Sequence, residues 1–172
     1  DRSFFEVKDS ISKWHNIDPS MILPGNGASE LFTWAARDAG SNGISSLPSP
    51  GFGDYQRALN CWNAAYIYNP LPLSWHHTKP HTFPIEPKTD VLWITNPHNP
   101  TGQLWSRSSI ERLLTNYKLV ICDEAFISIV PGGENQSIID LTKSYKNLIV
   151  IRSLTKFLGV AGLRIGYAIT NS

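Results

Sequence analysis

The sequence predicts an α/β domain of three layers (α/β/α), with helices on both faces of a mostly parallel sheet. Three observations predict it. Short β-rich runs alternate with stretches of helical period, the order that builds βαβ units. The runs are almost continuously apolar, as strands covered on both faces are. Several of them end in a polar or glycine-rich cluster, and open α/β sheets bind ligands beyond the carboxyl ends of their strands. At 172 residues the chain is long enough for one domain with a sizeable core.

The elements follow in order. The chain opens in helix-like sequence, and the turn Gly25-Asn-Gly-Ala-Ser-Glu30 leads into a helix predicted over Ser29–Ala39. A strand follows at Ile44–Leu47, then a helix at Tyr55–Trp62 and a strand at Ala65–Tyr68. The proline-rich stretch from Asn69 to Asp90 reads as an irregular connection. Val91–Thr95 and Leu119–Cys122 read as strands around a helix at Ser106–Asn116, where Ile110, Leu113 and Leu114 fall on one stripe. A helix at Ile138–Ser144 and strands at Leu148–Arg152 and Gly166–Ile169 complete the pattern. No internal repeat or low-complexity tract interrupts it. The chain reads as part of a longer protein, beginning within a helix and stopping just after a strand.

Composition narrows the partners. With 15 basic and 14 acidic residues the net charge is +1, so no field of one sign points to nucleic acid or an anionic membrane. Hydrophobic residues make up 41% and charged ones 17%, an ordinary soluble balance. The longest apolar runs, such as Asn147 to Ile151, are far too short to span a bilayer. The opening residues lack the basic and apolar regions of a signal peptide. Two cysteines, Cys61 and Cys122, cannot build a disulfide framework, and Cys122 reads as a small core residue. A reducing, cytoplasmic setting is the simplest expectation.

Three clusters follow predicted strands: Thr95-Asn-Pro-His-Asn-Pro-Thr-Gly102, Asp123-Glu-Ala-Phe126 and Ser153-Leu-Thr-Lys156. Lys156 lies among Leu154, Phe157, Leu158 and Val160. A lysine held in an apolar pocket has a lowered pKa and serves as an amine nucleophile; a surface lysine with its stem on apolar residues is the alternative. Ser153, Thr155 and Arg164 around it suit an anion pocket, since arginine grips phosphate in a bidentate fork. The turn at Gly25 offers a second anion site at a helix start; equally, Asn26 or Ser29 caps the helix and binds nothing. Asp123, at a buried strand end, needs a partner, which is either a protonated ring nitrogen or a structural salt bridge. Asn99 is a turn residue whose amide can also donate to a ligand. Phe52 either stacks on a flat ring or packs in the core. Glu124, pointing to the other side of an extended segment, is expected in packing or a salt bridge.

Together these residues resemble the fold-type-I family of class I/II aminotransferases, from about Gly25 to Ile169. The motifs are Asn99-Pro-Thr-Gly102, Asp123-Glu-Ala-Phe126, Ser153-Leu-Thr-Lys156 and Gly162-Leu-Arg-Ile-Gly-Tyr167. In this order and spacing the set is specific, where each motif alone is weak. Within the family the chain is most similar to the histidinol-phosphate aminotransferases and threonine-phosphate decarboxylases. The resemblance implies pyridoxal 5'-phosphate as cofactor, with Lys156 forming its Schiff base and Asp123 pairing with the pyridine nitrogen. It implies Asn99 at the phenolic oxygen and Phe52 on the ring face, with Tyr55 the weaker candidate for stacking. Ala28, Ser29, Ser153 and Arg164 hold the phosphate, and Thr155 supports that region. Residues 1–172 are then the large, cofactor-binding domain without the N-terminal arm and the C-terminal small domain. The substrates are a small amino acid, or an amino-acid-like phosphate, and a 2-oxo acid; the full-length protein is expected to be a homodimer.

One departure from the family stands out: Phe126 occupies the place where most members carry a tyrosine bonded to the phenolic oxygen. Decarboxylation of threonine phosphate on the same scaffold is the alternative activity. A cofactor-responsive DNA-binding regulator is a third reading, which the absence of a basic helix opposes. His76, His77 and His81 lie close together, but with no cysteine or carboxylate pair beside them no metal site is expected. The tryptophans, Trp34, Trp62 and Trp93 among them, read as core or subunit-interface residues.

Overall fold

Apolar strands can be buried on both faces only if helices cover both sides of the sheet, and that is the architecture observed. The computed structural model describes residues 4–72, 79–84, 88–160 and 162–171. Its strands are β1 (Ile22–Gly25), β2 (Ser45–Ser49), β3 (Tyr66–Pro70), β4 (Val91–Thr95), β5 (Leu119–Asp123), β6 (Leu148–Ser153) and β7 (Gly166–Ile169). They form one sheet in the order β1-β7-β6-β5-β4-β2-β3. From β3 through β2, β4, β5 and β6 all pairings are parallel. Only β7 runs against its neighbours, pairing antiparallel with β6 and β1. Every residue of β4, β5, β6 and β7 is buried.

The period-two alternation of the strands divides the core. Val91, Trp93, Ile121, Ile149 and Ile151 face the layer of α2 (Gly27–Asn42) and α3 (Asp54–Cys61). Leu92, Ile94, Val120, Cys122, Val150 and Tyr167 face the layer of α1 (Phe5–His15) and the turns that follow α4 (Arg107–Glu111). On α2 the stripe Leu31, Phe32, Ala35, Ala36 and Ala39 is buried, as a 3.6-residue period requires. Each large side chain so buried contributes about 1.5–3 kcal/mol.

The six strands expected from sequence are present, and β1 is additional. Its residues, Ile-Leu-Pro-Gly, carry no strand signature. A proline fits there because β1 is an edge strand, where one missing N–H costs little. Two expected helices are shortened. In the stretch 106–116 only α4 is helical, and beyond it the N–H groups of Leu113, Leu114 and Asn116 reach back three residues instead of four. The Ser109 hydroxyl is drawn to the Ser106 carbonyl and the Phe83 N–H, the local competition that weakens helices rich in serine. The stretch 138–144 is a 3-10 helix at Ile139–Lys143; Thr142 back-bonds to the Ile139 carbonyl at 2.6 Å, and Glu124 holds the Ile138 N–H at 2.8 Å. Conversely Ser153-Leu-Thr-Lys156 opens a short helix, α5 (Leu154–Leu158), directly on the end of β6. Trp93 is core, whereas Trp34 and Trp62 are about half exposed, at 49% and 48%.

Candidate active site

A cleft of about 320 Å³ lies at the carboxyl ends of β5 and β6, closed on one side by the start of α2 and on the other by α5. It is lined by Ala28, Ser29, Phe52, Asn99, Asp123, Ser153, Thr155, Lys156 and Arg164, together with Gly27, Phe32, Ala125 and Phe126. Nine of the residues singled out in the sequence thus border one space, and Tyr55, the weaker stacking candidate, does not. Phe32 and Ala125 are additions. Phe32 belongs to the apolar stripe of α2, and nothing in its local sequence separates it from its buried neighbours.

One end of the cleft suits an anion. Gly27 begins α2 with φ +73, a conformation that side chains other than glycine's rarely adopt. Neither capping alternative applies, because no side chain caps this helix. Glu30 instead accepts the backbone N–H of Asn26 at 2.6 Å. The first-turn amides of Ala28 and Ser29 therefore lie at a helix start with the positive end of the dipole behind them. Arg164 completes the cradle: a methyl group placed on Gly27 would meet its Nη2 at 3.4 Å. The Ser29 hydroxyl, however, donates to Asp54, which also pairs with Arg57. Burial works to raise the Asp54 carboxyl, but the hydrogen bonds from Arg57 and Ser29 outweigh it and hold the group below its ordinary value.

The floor of the cleft carries a carboxylate. Asp123 ends β5 and is 4% exposed. Its Oδ2 accepts the Tyr55 hydroxyl at 2.6 Å and its Oδ1 accepts the Ala125 N–H at 2.9 Å. Among the described residues it makes no ion pair, so the salt-bridge alternative does not hold for this group. Burial pushes its carboxyl up to about 6, against the downward pull of those two hydrogen bonds. The neighbouring Glu124 does form the expected salt bridge. It points to the opposite face and meets Arg152 at 2.9 Å, both side chains being almost fully buried. Arg152 also reaches Glu134 at 2.8 Å. Burial would lower the Arg152 guanidinium, but these carboxylates push it further above its ordinary value.

Lys156 stands on the wall opposite, with its Nζ 5.4 Å from the centre of the Phe126 ring, within cation–π range. Of the two alternatives for Lys156, the surface lysine is the one observed. Lys156 is exposed, and its neighbours Phe157, Leu158 and Val160 are 47%, 51% and 49% exposed. The reason is positional: α5 lies at the rim of the cleft, where Trp14 of α1 meets Phe157 with ring centroids 5.4 Å apart and leaves it about half exposed. Thr155 ties α5 to the loop that carries Arg164 by donating its hydroxyl to the Leu163 carbonyl. Ser153, buried at the end of β6, faces the cleft.

The remaining wall is aromatic and amide. Phe52 is 40% exposed and packs edge-on against Tyr55 and Phe32, with ring centroids 5.5 and 6.3 Å apart. Tyr55 itself is 1% exposed, which rules it out as a stacking face. Asn99 sits in a turn secured by the Gly102 N–H on the His98 carbonyl and the His98 N–H on the Gln103 carbonyl, both at 2.7 Å. Among the described residues no group of three or more His, Cys, Asp or Glu side chains could hold a metal; His76 and His77 lie outside them. Likewise no described helix is long and apolar enough to cross a membrane. The cleft thus offers an amine, an uncompensated carboxylate and an anion cradle around a space flanked by an aromatic ring.

The family described as aminotransferase class I and II matches residues 4–172 of this chain. Histidinol-phosphate aminotransferase 2 of Haemophilus influenzae is 33% identical over 99% of the chain and 48% of its own length. The crystal structure of the histidinol-phosphate aminotransferase from Clostridium acetobutylicum aligns with a TM-score of 0.82 at 24% identity, over 100% of this chain and 51% of that one. The L-threonine-O-3-phosphate decarboxylase from Porphyromonas gingivalis aligns with a TM-score of 0.78 at 25% identity, over 96% and 49%. The chain spans about half the length of the curated relatives it matches.

Proposed function

This chain belongs to the class I and II aminotransferase family, and from that premise we propose that it is the large domain of a pyridoxal-phosphate enzyme. The reaction proposed for the whole protein is transfer of an amino group between an amino acid, or an amino-acid-like phosphate, and a 2-oxo acid. One observation carries the proposal: Lys156, the unpaired Asp123 carboxylate and the Arg164 cradle border the same cleft.

The residues present fit the cofactor on two counts. A buried carboxylate without a cation is costly, and a protonated pyridine nitrogen would relieve it. A helix start with no side-chain cap and an adjacent guanidinium suits a phosphate. When bound, pyridoxal phosphate supplies an aldehyde that condenses with amines and a ring that accepts electrons from the substrate.

This chain's side chains do the rest. Lys156 supplies the amine that anchors the aldehyde, and afterwards it moves the proton at the substrate Cα. Asp123, charged at neutral pH, holds a proton on the ring nitrogen. Asn99 donates its amide to the phenolic oxygen, and Phe52 covers the ring face. The amides of Ala28 and Ser29, the Ser153 hydroxyl and Arg164 bind the phosphate. Thr155 holds the Arg164 loop in place. With Phe126 in the position of the usual tyrosine, Asn99 acts on the phenolic oxygen without a tyrosine beside it. A homodimer and a cytoplasmic setting belong to the same proposal, the latter in keeping with two free cysteines, one exposed and one buried.

The test is the near-visible absorption of the purified protein with pyridoxal phosphate. An absorption band that is lost in Lys156→Ala supports the assignment; identical spectra for wild type and variant refute it. A second reading, decarboxylation of an amino-acid phosphate, is favoured by the likeness to the L-threonine-O-3-phosphate decarboxylase, at 25% identity. Release of carbon dioxide from threonine phosphate by the full-length protein, without glutamate-dependent consumption of an oxo acid, would decide for it.

A further inference from the structure

Tyr55 joins both walls of the cleft without touching the space between them. It is the second residue of α3, and its ring is packed against Trp93 and Phe32, each with centroids 5.1 Å away, and edge-on against Phe52 at 5.5 Å. Its hydroxyl reaches the Asp123 carboxylate at 2.6 Å and the Thr95 hydroxyl at 2.7 Å. The direction of these bonds follows from valence. A charged carboxylate only accepts, so Tyr55 donates to Asp123 and accepts from Thr95. The result is an ordered chain, Thr95 to Tyr55 to Asp123, in which each bond polarises the next.

We propose that Tyr55 is a positioning residue: its hydroxyl fixes the Asp123 carboxylate, and its ring seats Phe52, so that one side chain sets the floor and the aromatic wall together. This rests on the proposed function for what Asp123 and Phe52 then hold. The role is separable from plain packing because hydroxyl and ring contribute differently. Other charged groups around Asp123 are Glu124 on its own segment, Asp54 at the start of α3, and Lys156 and Arg164 lining the same cleft. Only Tyr55 and the Ala125 N–H hydrogen-bond directly to its carboxylate among the described residues.

The experiment is a pH titration of the Asp123 carboxyl carbon by NMR in the ligand-free protein, for wild type and Tyr55→Phe, with a cofactor-binding titration alongside. Tyr55→Phe keeps the ring and removes the hydroxyl. The Asp123 midpoint should move up by about one to two pH units, the size of one hydrogen bond to a charged group. Cofactor affinity near neutral pH should fall about tenfold or more, with the pH profile displaced the same way. If Tyr55→Phe lowers the melting temperature but leaves the midpoint in place, the proposal is overturned. Should that variant fail to fold, Thr95→Val removes only the bond behind Tyr55. A smaller upward move then supports the proposal, and no move overturns it. The two readings fail separately. A wild-type protein that forms no lysine-dependent band, yet whose Asp123 midpoint moves in Tyr55→Phe, refutes the cofactor and keeps the positioning role.

Discussion

Asp123→Asn is expected to stabilise the ligand-free protein at alkaline pH while abolishing cofactor binding. Burial raises the Asp123 carboxyl from 3.8 to about 6 in the folded state. The folded protein therefore binds this proton more tightly than the unfolded chain, so the stability linked to the group is full below 3.8 and is lost as pH rises through about 6. At ~1.36 kcal/mol per pH unit, the gap between those values makes the charged carboxylate cost about 3 kcal/mol at pH 8, and that is the upper limit of the gain. Asparagine fits the site with one reversal. Its Oδ1 still accepts the Ala125 N–H, while Tyr55 turns to donate to Thr95 and accepts from the new amide. Urea unfolding of wild type and variant at pH 4, 6 and 8 measures the effect. The expected difference is near zero at pH 4 and about 1–3 kcal/mol in favour of the variant at pH 8. The comparison must be between proteins, because His15 works in the opposite sense over the same range. Burial and the nearby Arg152 lower its imidazole from 6.5 to about 4, so its contribution is lost as pH falls. A variant no more stable than wild type at pH 8, or a difference that does not change with pH, would show that the carboxylate is not held at a cost. Asp123 would then need no cation to offset its burial.

Two further changes probe the anion end. A methyl group on Gly166 would lie 2.8 Å from both the Ala28 nitrogen and the Arg152 carbonyl oxygen, so Gly166→Ala should push the start of α2 off β7. A loss of about 1–3 kcal/mol in denaturant unfolding, with weaker cofactor binding, is expected; unchanged affinity would mean that α2 does not form the cradle. Asp54→Asn removes a negative charge near the cradle and weakens the hold on the Ser29 hydroxyl. It should tighten binding of both cofactor and competing inorganic phosphate several-fold, as read from competition titrations, and weaker binding of both would refute that account.

Much of this site is legible in the residues because the sheet makes it so. An open parallel sheet gathers the carboxyl ends of its strands at one edge, so polar clusters after three strands are brought together once the strands are recognised. Asp123 and Ser153 are strand-end residues, and Lys156 follows one turn into α5. The partners of these groups were not legible. Tyr55 and Asp123 are 68 positions apart, and Arg152 and Glu124 are 28 apart. No local pattern distinguishes the tyrosine that bonds a carboxylate from one that fills the core. The exposure of Lys156 was one of two open alternatives, because apolar neighbours in sequence can wall a pocket or face outward at a rim, and only the fold decides between them.

The amino-acid order by itself determined the fold class, six of the strands and, through the family motifs, nine residues that line the cleft. These depend on hydrophobic period and on which residues follow each strand, and both are local properties. The edge strand β1, the breaking of two expected helices, the burial of Asp123 and its bond to Tyr55 were decided only in the folded chain. Each of them is set by what a distant segment places against the residue: a neighbouring strand, a competing hydrogen-bond partner, or a layer that excludes water.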